Sequence, residues 1–142
     1  MVVVLGAHAG DVRRQLRFID ERVIVNPDYA QGMSTSIQAG LRALREGTEG
    51  VMIVLGDQPY VTSATMRLLA AEFCRTHPPA LAPAFNGRRG NPVVIAAALF
   101  PAMMELRGDA GFRAVAGRYE IAEIAVGDEG VLLDIDTPSD LR

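Results

Sequence analysis

The chain is expected to fold as an α/β domain: a doubly wound, mostly parallel sheet with helices on both faces. Three observations predict this. Short apolar runs at residues 2–5, 23–25, 51–55 and 92–95 alternate with stretches of helical spacing. These runs carry apolar residues without polar interruption, which suits strands covered on both faces. The chain has 142 residues, 49% of them apolar and 22% charged, which fits one folded domain rather than a disordered segment.

Val2-Val3-Val4-Leu5, closed by Gly6, reads as a buried strand. Val12, Leu16 and Ile19 fall at helical spacing after it. Val23-Ile24-Val25 is a second buried strand, ended by Asn26-Pro27. A glycine-containing loop then leads to Ser34 and to the helical stripe Ile37, Leu41, Leu44. Residues 51–55 form the clearest strand, stopping at Gly56-Asp57-Gln58-Pro59. Thr62 or Ser63 caps a helix reaching about His77, and Pro78-Pro79 breaks it. Leu81 to Phe85 reads as a strand near a sheet edge, because Pro83 cannot donate to a ladder. Asn86-Gly87 is a hairpin signal, and residues 92–95 are the next strand. Two short helices at 99–106 and 109–116 and a strand at 120–126 follow. Thr137-Pro138-Ser139-Asp140 carries a helix-start pattern: a Thr cap, Pro at the first position and an acid at the third.

Composition narrows the function classes. The net charge of −3 argues against bulk attraction to nucleic acid or anionic lipid. All fourteen basic residues are Arg, so no lysine exists to form a Schiff base or grip phosphate as an ammonium. The single cysteine, Cys74, allows no internal disulfide and reads as a buried, inert side chain. No run reaches the length of a membrane span and no signal peptide is visible, so the cytoplasm is the expected compartment. His8 and His77 stand far apart, and neither is assigned a catalytic part.

In doubly wound sheets ligands bind beyond the carboxyl ends of the strands. Asp57, just past a strand, is placed there to hold Mg²⁺ on phosphate oxygens, or is a turn acid that caps the following helix. Asp134 and Asp136 share one face of an extended segment, with Ile135 on the other. Two carboxylates at that spacing repel unless a cation or donors compensate; metal binding relieves the repulsion, and a solvated acidic turn before a helix is the alternative. The hydroxyl-rich start at Ser34 and Ser36, after Gly32, offers free backbone N–H groups to a ribose, base or phosphate, or is only a helix cap. Arg88 and Arg89 before Gly90 form an anion-seeking turn or a solvated hairpin tip. Asp109 stands between Arg107 and Arg113, where it can cap a helix while the arginines face an anion.

Taken in order, these segments resemble the MobA-like nucleotidyltransferases, nearest to the molybdenum cofactor cytidylyltransferase branch. The matching text is NPDYAQGMSTSIQAG at 26–40, LGDQPYV at 55–61, NGRRGNPV at 86–93, LRGDAGFR at 106–113 and LDIDTPSDL at 133–141. The resemblance implies a Rossmann-like fold and transfer of CMP, or GMP, from an NTP to molybdopterin with release of pyrophosphate. It implies Mg²⁺ held by Asp57 and Asp136, with Asp134 as a third ligand. Gly32, Ser34, Ser36 and Asp57 would serve the nucleotide. Arg88, Arg89, Gly90 and Asp109 would face the pterin phosphate.

The family's opening strand and glycine-rich loop, of the type LAAGxSxRMGxxK, are missing from this sequence. The chain is therefore expected to be a single domain over 1–142, truncated at its N-terminus and at its C-terminal helix. Weak or absent transfer is expected, together with a homo-oligomer that covers the exposed strand edges. A non-catalytic alternative is a molybdopterin-binding accessory or chaperone serving a molybdenum hydroxylase. Relatives on the same scaffold that act on other small substrates form a third possibility.

Overall fold

The computed structural model describes residues 1–141; Arg142, the end of the expected domain, lies outside them. The α/β class holds. The chain divides into two compact units, one of Met1–Thr48 with Leu99–Gly117 and one of Glu49–Ala98 with Arg118 onward.

In the first unit β1 (Val2–Leu5) and β2 (Arg22–Val25) pair in parallel, with Val3 opposite Val23 and Leu5 opposite Val25. The crossover between them holds α1 (Ala9–Gln15). Helix α2 (Met33–Arg42) lies against β1, and a Cβ added to Gly40 would come 3.3 Å from a Val4 methyl. Helices α4 (Phe100–Met104) and α5 (Arg113–Ala116) complete this unit. All four β1 residues are only half-buried, so the fully buried reading is corrected. A two-stranded sheet has two open edges, and among the described residues β1 pairs with β2 alone.

The second unit holds β3 (Gly50–Ile53), α3 (Ser63–Thr76), β4 (Ala80–Phe85), β5 (Arg88–Arg89), β6 (Val93–Ala96) and β7 (Ile121–Ala125). Strand β6 runs antiparallel to both β3 and β4, while β4 and β7 are parallel. Strands β3, β4 and β7 thus share one direction, and β5 and β6 run against it. Leu69 and Phe73 of α3 pack on Leu81 and Val94, with Met52 and Ile124 alongside. Thr65, Leu69 and Phe73 form the buried face of α3 at four-residue spacing. Cys74, one step round the helix from Phe73, is exposed rather than buried as expected.

Strand β4 is central, which corrects the edge reading based on Pro83. Strand β7 pairs with residues 80–84, β6 with Ala80 and Leu81, and β5 with Ala84 and Phe85. The Pro83 carbonyl accepts from Gly90 N–H at 2.9 Å, and the next carbonyl, Ala84, accepts from Val126 N–H at 2.9 Å. Neighbouring residues of a strand alternate sides, so the Pro83 nitrogen points away from β7. It falls between the β6 and β5 pairings, where the missing N–H interrupts little.

Candidate active site

The acidic residues of the second unit are positioned by backbone pairing. Beyond β3 the chain turns at Gly56 and presents Asp57 to solvent. The Asp57 carbonyl accepts a hydrogen bond from Ile135 N–H at 2.8 Å. One residue on, Gln58 is only 6% exposed, and its Nε2 donates to Asp134 Oδ1. These two bonds fasten residues 57–58 to residues 134–135. Asp57, Asp134 and Asp136 thereby stand on adjoining segments, all three exposed, and Asp134 alone accepts from the Gln58 amide. After Asp136 the chain is held by the expected capping box. Asp140 Oδ2 accepts from Thr137 N–H at 2.7 Å and from Asp136 N–H at 3.1 Å. The Thr137 hydroxyl and backbone donors hold the Asp140 carboxyl below its usual range.

A second fastening joins the start of α3 to Asp128. Asp128 Oδ2 accepts from Thr65 Oγ1 at 2.6 Å, Thr62 Oγ1 at 2.8 Å and Thr62 N–H at 2.9 Å. Its Oδ1 accepts from Gly130 N–H at 3.0 Å. Gly130 lies against the Tyr60 carbonyl, which an added Cβ would approach to 2.3 Å. Partial burial pushes the Asp128 carboxyl up, but donation by Thr65, Thr62 and Gly130 outweighs it, and the group sits below the usual carboxylate range. A depressed folded value means stability that is complete above the unfolded value and lost as pH falls through the folded one. Asp128→Ala is expected to cost roughly 2–3 kcal/mol, the scale of hydrogen bonds to a charged group. Urea denaturation at neutral pH and at pH 3 checks this: the deficit against the parent chain should shrink at the acid end.

Beside Asp128 opens a cleft of about 520 Å³ lined by Tyr60, Thr62, Leu68, Val126 and Leu133. The Asp128 oxygens at its rim already accept from protein donors.

Asn86 and Gly87 take positive φ values of 49° and 74°, as a two-residue hairpin between β4 and β5 requires. Arg89 donates to Glu123 through Nη2 at 2.6 Å and Nε at 2.9 Å. Arg88 is exposed, with no ionic partner among the described residues. Gly90 has a packing role: an added Cβ would meet the Val131 carbonyl oxygen at 2.3 Å.

The remaining candidates belong to the first unit. Asp109 Oδ1 accepts from Met33 N–H at 3.3 Å, and the Gly108 carbonyl accepts from Ser34 N–H at 3.0 Å. The expected free donors at the start of α2 are thus engaged at Met33 and Ser34. Ser34 is 1% exposed, so its side chain does not face solvent. Ser36 Oγ and Thr35 Oγ1 accept from Asn26 Nδ2 at 3.0 and 2.8 Å. Gln38 Nε2 donates to the carbonyls of Leu106 at 2.9 Å and Met104 at 3.2 Å, tying the Asp109 loop to α2.

Sequence reasoning missed Gln58, Asp128, Asn26 and Gln38. Buried polar side chains beside loops are a usable signal only once burial is known. Asp134, the partner of Gln58, and the threonine partners of Asp128 lie more than sixty residues away along the chain.

Among the described residues no three His, Cys, Asp or Glu side chains converge on one point. Asp57, Asp134 and Asp136 are all exposed, and Gln58 engages one Asp134 oxygen, so Asp57 and Asp136 are the two carboxylates free of that amide. This donor set fits Mg²⁺ or Mn²⁺, hard cations for which one or two carboxylates suffice when waters and substrate phosphates complete the shell. Among the described residues no helix is long and apolar enough to cross a membrane.

The profile of the MobA-like NTP transferase domain matches residues 1–123, and the chain belongs to that family. It is 31% identical to nicotine blue oxidoreductase of Paenarthrobacter nicotinovorans, over 96% of this chain and 71% of that protein. It is 28% identical to molybdenum cofactor cytidylyltransferase of Escherichia coli strain K12, over 83% of this chain and 59% of that protein. Its fold superposes on Rv0371c of Mycobacterium tuberculosis H37Rv, a complex with manganese, with a TM-score of 0.84. The identity there is 28%, over 98% of this chain and 73% of the other.

Proposed function

We propose that the chain serves transfer of CMP from CTP to molybdopterin, with a divalent cation held between Asp57 and Asp136. In this reaction a terminal phosphate oxygen of molybdopterin bonds to the α-phosphorus of CTP. The bond from that phosphorus to the bridging oxygen breaks, and pyrophosphate leaves. Such transfer needs positioning and charge neutralisation more than covalent help. The cation would offset charge on the phosphates. Asp57 and Asp136 would orient it, and Arg88 of the same unit would attract the pterin phosphate. GMP transfer from GTP is the variant form. The observation that carries the reading is the bond between Asp57 carbonyl and Ile135 N–H, which sets two exposed carboxylates on adjoining segments. The manganese in the Rv0371c complex supports a metal-dependent reading.

Incubation with CTP, Mg²⁺ and molybdopterin tests it. Slow pyrophosphate release that needs all three is expected, slow because the sequence has no lysine for the triphosphate. Release that persists with EDTA would contradict it. The 31% identity to nicotine blue oxidoreductase favours a second reading, a redox enzyme on the same scaffold. Metal-independent bleaching of nicotine blue in the presence of an added electron donor would single that out.

An assembly larger than a monomer is also proposed. Among the described residues β1 and β3 each pair on one side only, and unpaired strand edges recruit partners. Light scattering is expected to give at least a dimer; a monomer at high concentration would contradict it.

A further inference from the structure

We infer that Gln58 and Asp134 form a positioning bracket that sets the spacing of the Asp57 and Asp136 carboxylates, and that Asp134 is not itself a metal ligand. This rests on the reading of Asp57 and Asp136 as a cation site. Gln58 sits between the exposed Asp57 and Pro59, yet it is 6% exposed. A buried amide at such a place needs partners, and Nε2 finds one in Asp134 Oδ1. The neighbouring backbone bond, Ile135 N–H to the Asp57 carbonyl at 2.8 Å, runs beside it.

Two bonds between two-residue segments fix translation along the chain as well as separation. A slip of one residue would turn the 134–136 side chains to the opposite face, because extended backbone alternates. The bracket therefore holds the register in which Asp134 and Asp136 are exposed and Ile135 is half-buried. Donation from Gln58 also offsets the repulsion that Asp134 and Asp136 would otherwise suffer. The amide completes what the acid pair of this segment needs, and no third carboxylate has to enter the coordination shell. Groups that orient metal ligands in this way typically change affinity by about 10–100-fold when removed.

Asp134→Asn and Asp134→Ala separate positioning from ligation. Asparagine keeps the Oδ1 acceptor for Gln58 and loses the charge; alanine loses both. Mn²⁺ binding in the presence of CTP is followed by electron paramagnetic resonance, and hydrogen exchange of the Ile135 amide is followed by NMR. The expected result is affinity within about twofold of the parent chain for Asp134→Asn and about tenfold or more weaker for Asp134→Ala. Faster Ile135 exchange is expected in the alanine variant alone. Gln58→Ala should match Asp134→Ala. Equal loss of Mn²⁺ in both Asp134 variants would make Asp134 a ligand and overturn the inference, leaving the cation site standing. A parent chain that binds no Mn²⁺ would overturn the cation site. Ile135 exchange then decides the bracket alone: unchanged protection in Asp134→Ala overturns it, and lost protection supports it.

Discussion

Asp57→Asn is expected to reduce metal-dependent transfer on the order of 10²–10³-fold, because a cation at a transferring phosphate supplies several kcal/mol of charge stabilisation. The substitution keeps the shape of the side chain and the backbone carbonyl that accepts from Ile135. The side chain is exposed, so folding stability should stay within about 0.5 kcal/mol. Pyrophosphate release and a urea melt on the same preparation check both halves. Transfer unchanged by Asp57→Asn would remove this residue from the chemistry. A large loss of stability would mean that the acid is structural.

The second large effect falls on stability. Gly32 has φ of +107°, and a Cβ there would lie 2.2 Å from the Gly108 carbonyl carbon and 2.6 Å from Asp109 N. Those are backbone atoms, which cannot swing aside as the end of a side chain could. Gly32→Ala must therefore displace the 108–109 loop, together with its bonds to Met33 and Ser34. A loss of roughly 3 kcal/mol or more is expected, from backbone strain and broken caps together. Gly47 is the control: its φ is +78°, but an added Cβ meets nothing within 4 Å. Gly47→Ala should cost only about 1–2 kcal/mol, the left-handed penalty alone. Denaturation midpoints of the two variants check the contrast; equal losses would show that the Gly108 contact yields easily.

Local chemistry was legible in the sequence where a single segment decides its own shape. Helix α3 is capped by Thr62, one of the two expected caps, with Thr62 Oγ1 accepting from Thr65 N–H at 3.3 Å. The Asn86-Gly87 hairpin and the Thr137 capping box formed for the same reason. Strand direction was not legible, since apolar runs look alike whether neighbours run parallel or antiparallel. That is why β6, antiparallel between β3 and β4, was not foreseen. Pro83 pointed to an edge because a lost donor usually means one, yet the loss falls where β6 pairing gives way to β5. The apolar helical pattern around Cys74 gave burial, but the face of α3 is set by Thr65, Leu69 and Phe73. At the site the acids Asp57, Asp134 and Asp136 could be named from spacing. All three are exposed, and what sets Asp134 apart is Gln58, a contact between distant segments.

The shared cation between Asp57 and Asp136 is tested most directly by a double-substitution cycle on Mn²⁺ affinity. Asp57→Asn, Asp136→Asn and the double variant are titrated with Mn²⁺ in the presence of CTP. If one ion is held by both carboxylates, each single change should weaken binding about tenfold or more, and the second change should add little to the first. Losses that multiply independently, or an Asp136→Asn chain that binds like the parent, would contradict a shared site.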